Sequence, residues 1–188
     1  AIENKEFTLH YQPALDLLGR SVVAVEALLR WNHPTKGLIS AGAFIETAEE
    51  SGLIVEIGDV VMEESMLQLS QWQSKYPDLE MWVNVSPAQL MSRDVPKQVA
   101  DLARKYGVNL KRYCLEVTEH AMLEDLQTVT GALDRLRGMG VRLALDDFGT
   151  GYSSLAYLKR FPLDLLKIDK SFTDDLLESD EARAIVET

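Results

Sequence analysis

From Met81 onward one rhythm repeats along the chain: a short apolar strand, a helix of ten or more residues, then another strand. Residues 81–85, 113–118, 141–146 and 163–169 carry the strand pattern. Between the first two, Asp94 and Pro96 open a helix that buries Val99, Leu102 and Tyr106 and stops at Gly107. Between the next two, Leu126, Val129, Leu133 and Leu136 recur at three- and four-residue spacing ahead of Gly138 and Gly140. A further helix is expected from about Ser153 to Phe161 and Pro162. Strands joined through helices of that length need crossover connections, so the sheet they form is parallel.

Upstream, residues 7–11 alternate apolar and polar and read as a strand stopped by Pro13, with a turn over 16–20. A second strand over 22–31 holds one charge at its middle, Glu26. A buried carboxylate without a partner costs several kcal/mol, so Glu26 is either neutralised or part of a site. A loop over 32–40, with Pro34 and Gly37, leads to helical segments over 41–50 and 53–72. That makes six strands in 188 residues, the last four in strict βα order. A (β/α)8 barrel takes about 250 residues, so the expectation is an α/β barrel two units short, truncated to about six strands. An open doubly wound sheet is the alternative, but no glycine-rich phosphate turn follows the early strands.

The net charge of −11 argues against a broad basic face for polymeric nucleic acid. A small anionic ligand remains compatible if metal ions screen the acidic groups that meet it. Glu26 and Arg30 interrupt the longest apolar run, so no bilayer span and no membrane contact by this domain is expected. The single cysteine, Cys114, sits in an apolar strand pattern and fits a reducing cytoplasm as a small core residue. His10, His33 and His120 are too scattered for a zinc pair. The chain opens on Ala1 and closes inside an amphipathic pattern (Ala182, Ile185, Val186), the expectation being a domain cut from something longer.

The chemistry gathers where strands end. The strand over 141–146 runs into Asp146 and Asp147, then a loop with two glycines and two serines. Adjacent strand residues point to opposite faces, so this pair cannot sit side by side unless the strand frays. One reading places a divalent metal between them; the other has Asp146 facing the barrel while Asp147 begins the turn. Glu26, Asn84, Glu116, Lys167 and Asp169 stand near the ends of other strands, positions that converge on the C-terminal mouth of a barrel. Such a set, oxygen ligands without His or Cys, suits Mg2+ or Mn2+. Two ions bridged by Asp146 would favour in-line attack on a phosphodiester. Lys167 would orient water or offset phosphate charge; a salt bridge to Asp169 or Glu116 is its other reading. The loop over 149–154 offers an anion site or a gate, and Trp31 and Phe148 are candidates for base stacking or for packing. A metal-assisted proton abstraction on a carboxylate substrate is a third reading of such a mouth.

With Glu26-Ala27-Leu28 in place, the chain resembles the EAL-domain family of cyclic di-GMP phosphodiesterases. The motifs that carry it are Tyr11-Gln12-Pro13, Val25 through Trp31, Asn84-Val85-Ser86, Leu115-Glu116-Val117-Thr118-Glu119, Asp146 through Ser154, and Lys167-Ile168-Asp169. The resemblance implies a modified (β/α)8 barrel whose first strand is antiparallel. It implies a metal set of Glu26, Asn84, Glu116, Asp146, Asp147 and Asp169. Gln12, Glu26, Leu28, Arg30 and Asp147 would contact cyclic di-GMP, and the catalytic residues would be Lys167, Glu119 and Asp147, with Lys167 positioning water and Glu119 holding the loop over 149–154. The implied reaction is hydrolysis to linear pGpG with Mg2+ or Mn2+, Ca2+ being inhibitory, in a homodimeric output domain beneath a sensor or a GGDEF-type domain. A Val-Ala-Glu-Gly-Val-Glu segment and a later glutamine are also implied, on seventh and eighth strands that residues 1–188 lack. That gap makes a silent cyclic di-GMP receptor or interaction module the alternative.

Overall fold

The structure, a computed structural model, describes residues 1–118, 126–148 and 161–174. Strands β1 (Phe7–Leu15) and β2 (Val22–His33) form an antiparallel hairpin with Gln12 opposite Glu26. Asp16 closes its turn by accepting from the backbone N–H groups of Leu18 and Gly19. Pro13 does not stop β1, contrary to the expectation from sequence, and instead pairs with Val25. β1 is the outermost strand of the sheet, where a residue without an N–H is tolerated. The segment over 32–40 is not a loop either. β2 continues through His33, and β3 (Gly37–Ser40) folds back on it with Trp31 opposite Ile39. His33 Nδ1 accepts from the backbone N–H groups of Thr35 and Lys36, and Gly37 takes the left-handed conformation the tight turn needs.

Helices α1 (Ile45–Glu50) and α2 (Ile54–Gln73) lead to β4 (Glu80–Asn84), α3 (Pro87–Ser92), α4 (Val95–Tyr106) and β5 (Tyr113–Thr118). Then come α5 (Leu126–Gly138), β6 (Arg142–Phe148), β7 (Leu165–Ile168) and the short α6 (Lys170–Asp174). α4 starts and stops as its sequence demands: the Asp94 side chain caps its N-terminus, and Gly107 ends it at φ +67°. α3 was not foreseen, although Ser86, Pro87 and Gln89 carry its signature, a capping box with proline in the first turn.

The sheet order is β1-β2-β4-β5-β6-β7, with β3 beside β2, so the described residues hold seven strands and not six. Every pair from β2 to β7 along that path is parallel, and only the hairpins at the start are antiparallel. The fold is therefore α/β with a mostly parallel central sheet. Met81, Val83, Leu115, Val117, Leu143 and Leu145, at every second strand position, pack in one cluster with Met62, Met66, Leu69, Val99, Leu133 and Leu136 of the helices. Each buried leucine of this layer contributes about 2 kcal/mol, and trimming Leu143 to alanine would cost about 2 to 5 kcal/mol. Because side chains alternate, the positions between these face the other side of the sheet. There stand Glu26, Asn84, Glu116, Asp146 and Lys167.

Candidate metal centre

Parallel register sets the site. Asn84 lies opposite Glu116 across β4 and β5, and Thr118 lies opposite Asp146 across β5 and β6. One carboxylate oxygen from each of Glu26, Glu116 and Asp146 falls within 4.8 Å of the others. The Lys167 ammonium donates to all three, at 2.9 Å to Glu116 Oε2, 2.9 Å to Asp146 Oδ2 and 3.3 Å to Glu26 Oε2. Of the two single acids expected as its partner, Glu116 is one and Asp169 is not; Glu26 and Asp146 complete a triad around it. Asn84 Nδ2 donates to Glu26 Oε1 at 3.1 Å.

Three carboxylates face one ammonium, and the imbalance is felt most at Glu116, whose side chain is wholly buried. Burial pushes its carboxyl up to about 7, Lys167 pulling the other way while Glu26 and Asp146 add to the rise. Burial also works against the Lys167 charge, but Glu116 and Asp146 outweigh it, so the ammonium is held above its ordinary range. Glu116 Oε1 is the one buried side-chain oxygen or nitrogen among the described residues without a hydrogen-bond partner. An orphaned buried carboxylate oxygen, in a cluster with oxygen donors alone, fits a hard divalent cation such as Mg2+ or Mn2+. Glu26, Glu116 and Asp146 would hold it, with Asn84 beside them.

Asp147 resolves the problem of adjacent acids on a strand. It takes a left-handed backbone conformation, φ +54°, at a register shift between β6 and β7. Asp146 keeps its place in the triad, while Asp147 lines a cavity of about 440 Å3 with Leu28, Asn84 and Thr118. Burial, then Asp146 and Asp169, hold the Asp147 carboxyl above its ordinary range. Asp169 itself does not join the triad: it follows β7 and accepts from the Ser171 hydroxyl and, at 2.9 Å, from the Ser171 backbone N–H, which lower its pKa in that order.

Gln12 is exposed on the edge strand, in register with Glu26. Arg30 is half-buried, and its Nη1 donates to the Leu29 carbonyl at 2.8 Å. Trp31 packs against Phe7 and Phe44 and donates its indole N–H to Glu6, which favours the packing role. Cys114 is a buried free thiol whose pKa burial pushes up. Glu119, His120, the loop over 149–154, the helix expected from Ser153 and the chain end lie outside the described residues.

The sequence pattern of the EAL domain family matches residues 1–188. The bifunctional diguanylate cyclase/cyclic di-GMP phosphodiesterase MucR of Pseudomonas aeruginosa is 40% identical over 187 residues, covering 99% of this chain and 27% of that protein. An uncharacterized signaling protein of Caulobacter vibrioides is 42% identical over 185 residues, covering 98% of this chain and 22% of its own length. The chain spans about a quarter of the length of the curated relatives it matches. Among solved structures, the MucR phosphodiesterase in complex with c-di-GMP matches at a TM-score of 0.92 and 40% identity, over 99% of this chain and 76% of that one. The EAL enzyme Bd1971, with cAMP and cyclic-di-GMP bound, matches at 0.92 and 34% identity, over 98% of this chain and 51% of that one. No described helix is long and apolar enough to cross a membrane.

Proposed function

The chain belongs to the EAL domain family, and on that premise we propose that it hydrolyses cyclic di-GMP to linear pGpG, using Mg2+ or Mn2+ at the Glu26, Glu116 and Asp146 triad. The observation that carries the reading is the orphaned Glu116 oxygen inside a triad that one lysine leaves undercharged. Divalent ions held there would supply Lewis acidity and a more acidic water. Asn84, Asp147 and Asp169 extend the oxygen set on either side, enough for two ions.

In this reading the chain's own groups do the following. Glu26, Glu116 and Asp146 would hold the cations, which would offset the charge of the phosphate under attack. Lys167, within reach of the same oxygens, donates to the attacking water or to a phosphate oxygen once its carboxylates are shared. Water adds to phosphorus, one P–O3′ bond breaks, and the freed 3′ oxygen takes up a proton. Gln12, Leu28 and Arg30 line the approach along β1 and β2. The name of the MucR relative supports a role as the output part of a longer signalling protein with a cyclase partner domain, and we extend the proposal to a homodimer.

The test is to incubate the domain, extended through the remaining strands, with cyclic di-GMP and Mn2+ and to separate the products. Linear pGpG that vanishes when Ca2+ replaces Mn2+ is the expected result. Binding of the cyclic dinucleotide without turnover would replace the enzyme by a receptor.

A further inference from the structure

Gly58 is buried in the second turn of α2, where alanine would favour the helix by about 1 kcal/mol. What excludes alanine is the Gln89 side chain, which lies flat on the Gly58 backbone: a methyl group there would stand 1.9 Å from Nε2 and 2.2 Å from Cδ. Gln89 is only 3% exposed. Its Oε1 accepts from the Ser86 backbone N–H at 3.1 Å and from Ser86 Oγ at 3.3 Å, while Ser86 Oγ accepts from the Gln89 N–H in return. Ser86 is two residues beyond Asn84, and the residue between, Val85, donates its N–H to the Glu116 carbonyl at 2.9 Å. Asn84 is the exposed last residue of β4 and its amide donates to Glu26 Oε1, so the aim of that bond depends on how the chain leaving the strand is held.

We propose that Gln89, seated on Gly58, is the positioning residue for Asn84: it pins the chain leaving β4 from the far side, so that the Asn84 amide is aimed at Glu26 and at the cation site. This rests on the metal-centre reading for its functional consequence, but the positioning itself does not require a metal. A helix cap elsewhere in the fold stabilises its helix; here the capping pair also clamps the exit of a ligand-bearing strand between α2 and the Glu116 backbone. The small residue at 58 is then a condition of the site, through contact with the glutamine and without contact with the cation.

Two measurements on one set of variants test this. The first follows the Asn84 side-chain amide by NMR in the protein without metal, and the second is a Mn2+ titration. Gln89→Ala is expected to collapse the distinct Asn84 amide resonances and to weaken Mn2+ binding about tenfold. Gln89→Glu, which keeps the acceptor for Ser86, restores both. Gly58→Ala pushes the amide off its seat and reproduces the loss, and adding Gln89→Ala to it recovers thermal stability but neither readout. Tyr113→Phe, which deletes the buried hydrogen bond to Ser65 at 2.7 Å on the same helix layer, is the control for plain destabilisation and leaves both readouts unchanged. Unchanged Asn84 resonances in Gln89→Ala would overturn the positioning role, as would an equal loss in Tyr113→Phe. Resonances that collapse in a wild-type background binding no Mn2+ would uphold the positioning and remove the metal reading.

Discussion

The same face of the sheet carries charges at both of its ends, and the two ends solve the problem differently. At the N-terminal end of the strands, Arg142 on β6 reaches over β5 to Glu80 on β4, and Trp82 donates its indole N–H to the same carboxylate. One acid meets one base, and both are satisfied. At the C-terminal end, three acids meet one base, and a buried oxygen is left over. A pair of half-buried charges that closes on itself is structure; a cluster that closes only when a further cation arrives is a site. Buried pairs cost desolvation wherever they stand, so the difference lies in the sum of charge, not in burial.

Substitutions at the two ends should therefore separate cleanly. Glu116→Ala is expected to have the largest effect, lowering turnover of cyclic di-GMP by at least about 100-fold, on the scale of losing a preorganised charge contact. Steady-state assays would show the loss in kcat, and full activity would erase the contrast between the ends. Lys167→Met comes next. It strips the triad of its one described counter-charge, so the metal-free protein should lose about 3 kcal/mol and melt roughly 10 °C lower. Adding Mn2+ should restore most of that loss, which a calorimetric scan with and without the ion would read; a melt indifferent to Mn2+ would count against the site.

A smaller effect is expected from pH. The Glu116 carboxyl sits at about 7 in the folded chain, above its ordinary value of 4.5. The folded state therefore holds this proton more tightly than the unfolded one, and stability present below about pH 4.5 is lost as pH rises toward 7, by a few kcal/mol. Melting curves of the metal-free protein between pH 5 and pH 7 should slope downward, and Glu116→Gln should flatten them. The smallest effect belongs to the other end. Replacing Glu80 and Arg142 together by leucine and methionine should change stability by about 1 kcal/mol or less and leave Mn2+ affinity untouched. A double variant that bound Mn2+ more weakly would mean that the two ends are coupled.

Much of this was legible in the sequence because period and punctuation agreed. Strands β4 to β7 each had an apolar run, α4 an apolar period between a capping Asp94 and Gly107, and α5 an apolar period ending at Gly138. β3 and the far half of β1 were not legible, since Pro13 and Pro34 read as breaks while an edge strand and a tight turn absorb them. α3 is only six residues long, too short for a period to register, although its capping box was in plain view. At the site, the convergence of strand ends on one mouth gathered Glu26, Glu116 and Asp146, but the left-handed turn at Asp147 that separates the adjacent acids was not legible, because φ is set by the register shift beside β7. Lys167 was visible as a site residue; that it answers three acids at once depends on distances between four strands, which no single stretch encodes.

The most direct measurement is Mn2+ binding by electron paramagnetic resonance, carried out on the wild-type protein and on Glu26→Gln, Glu116→Gln and Asp146→Asn. Saturable binding in the wild type that each of the three substitutions weakens at least tenfold is the expected result. Binding that survives all three, or a wild type that takes up no Mn2+, would contradict the claim that this undercharged triad is built to hold a divalent cation.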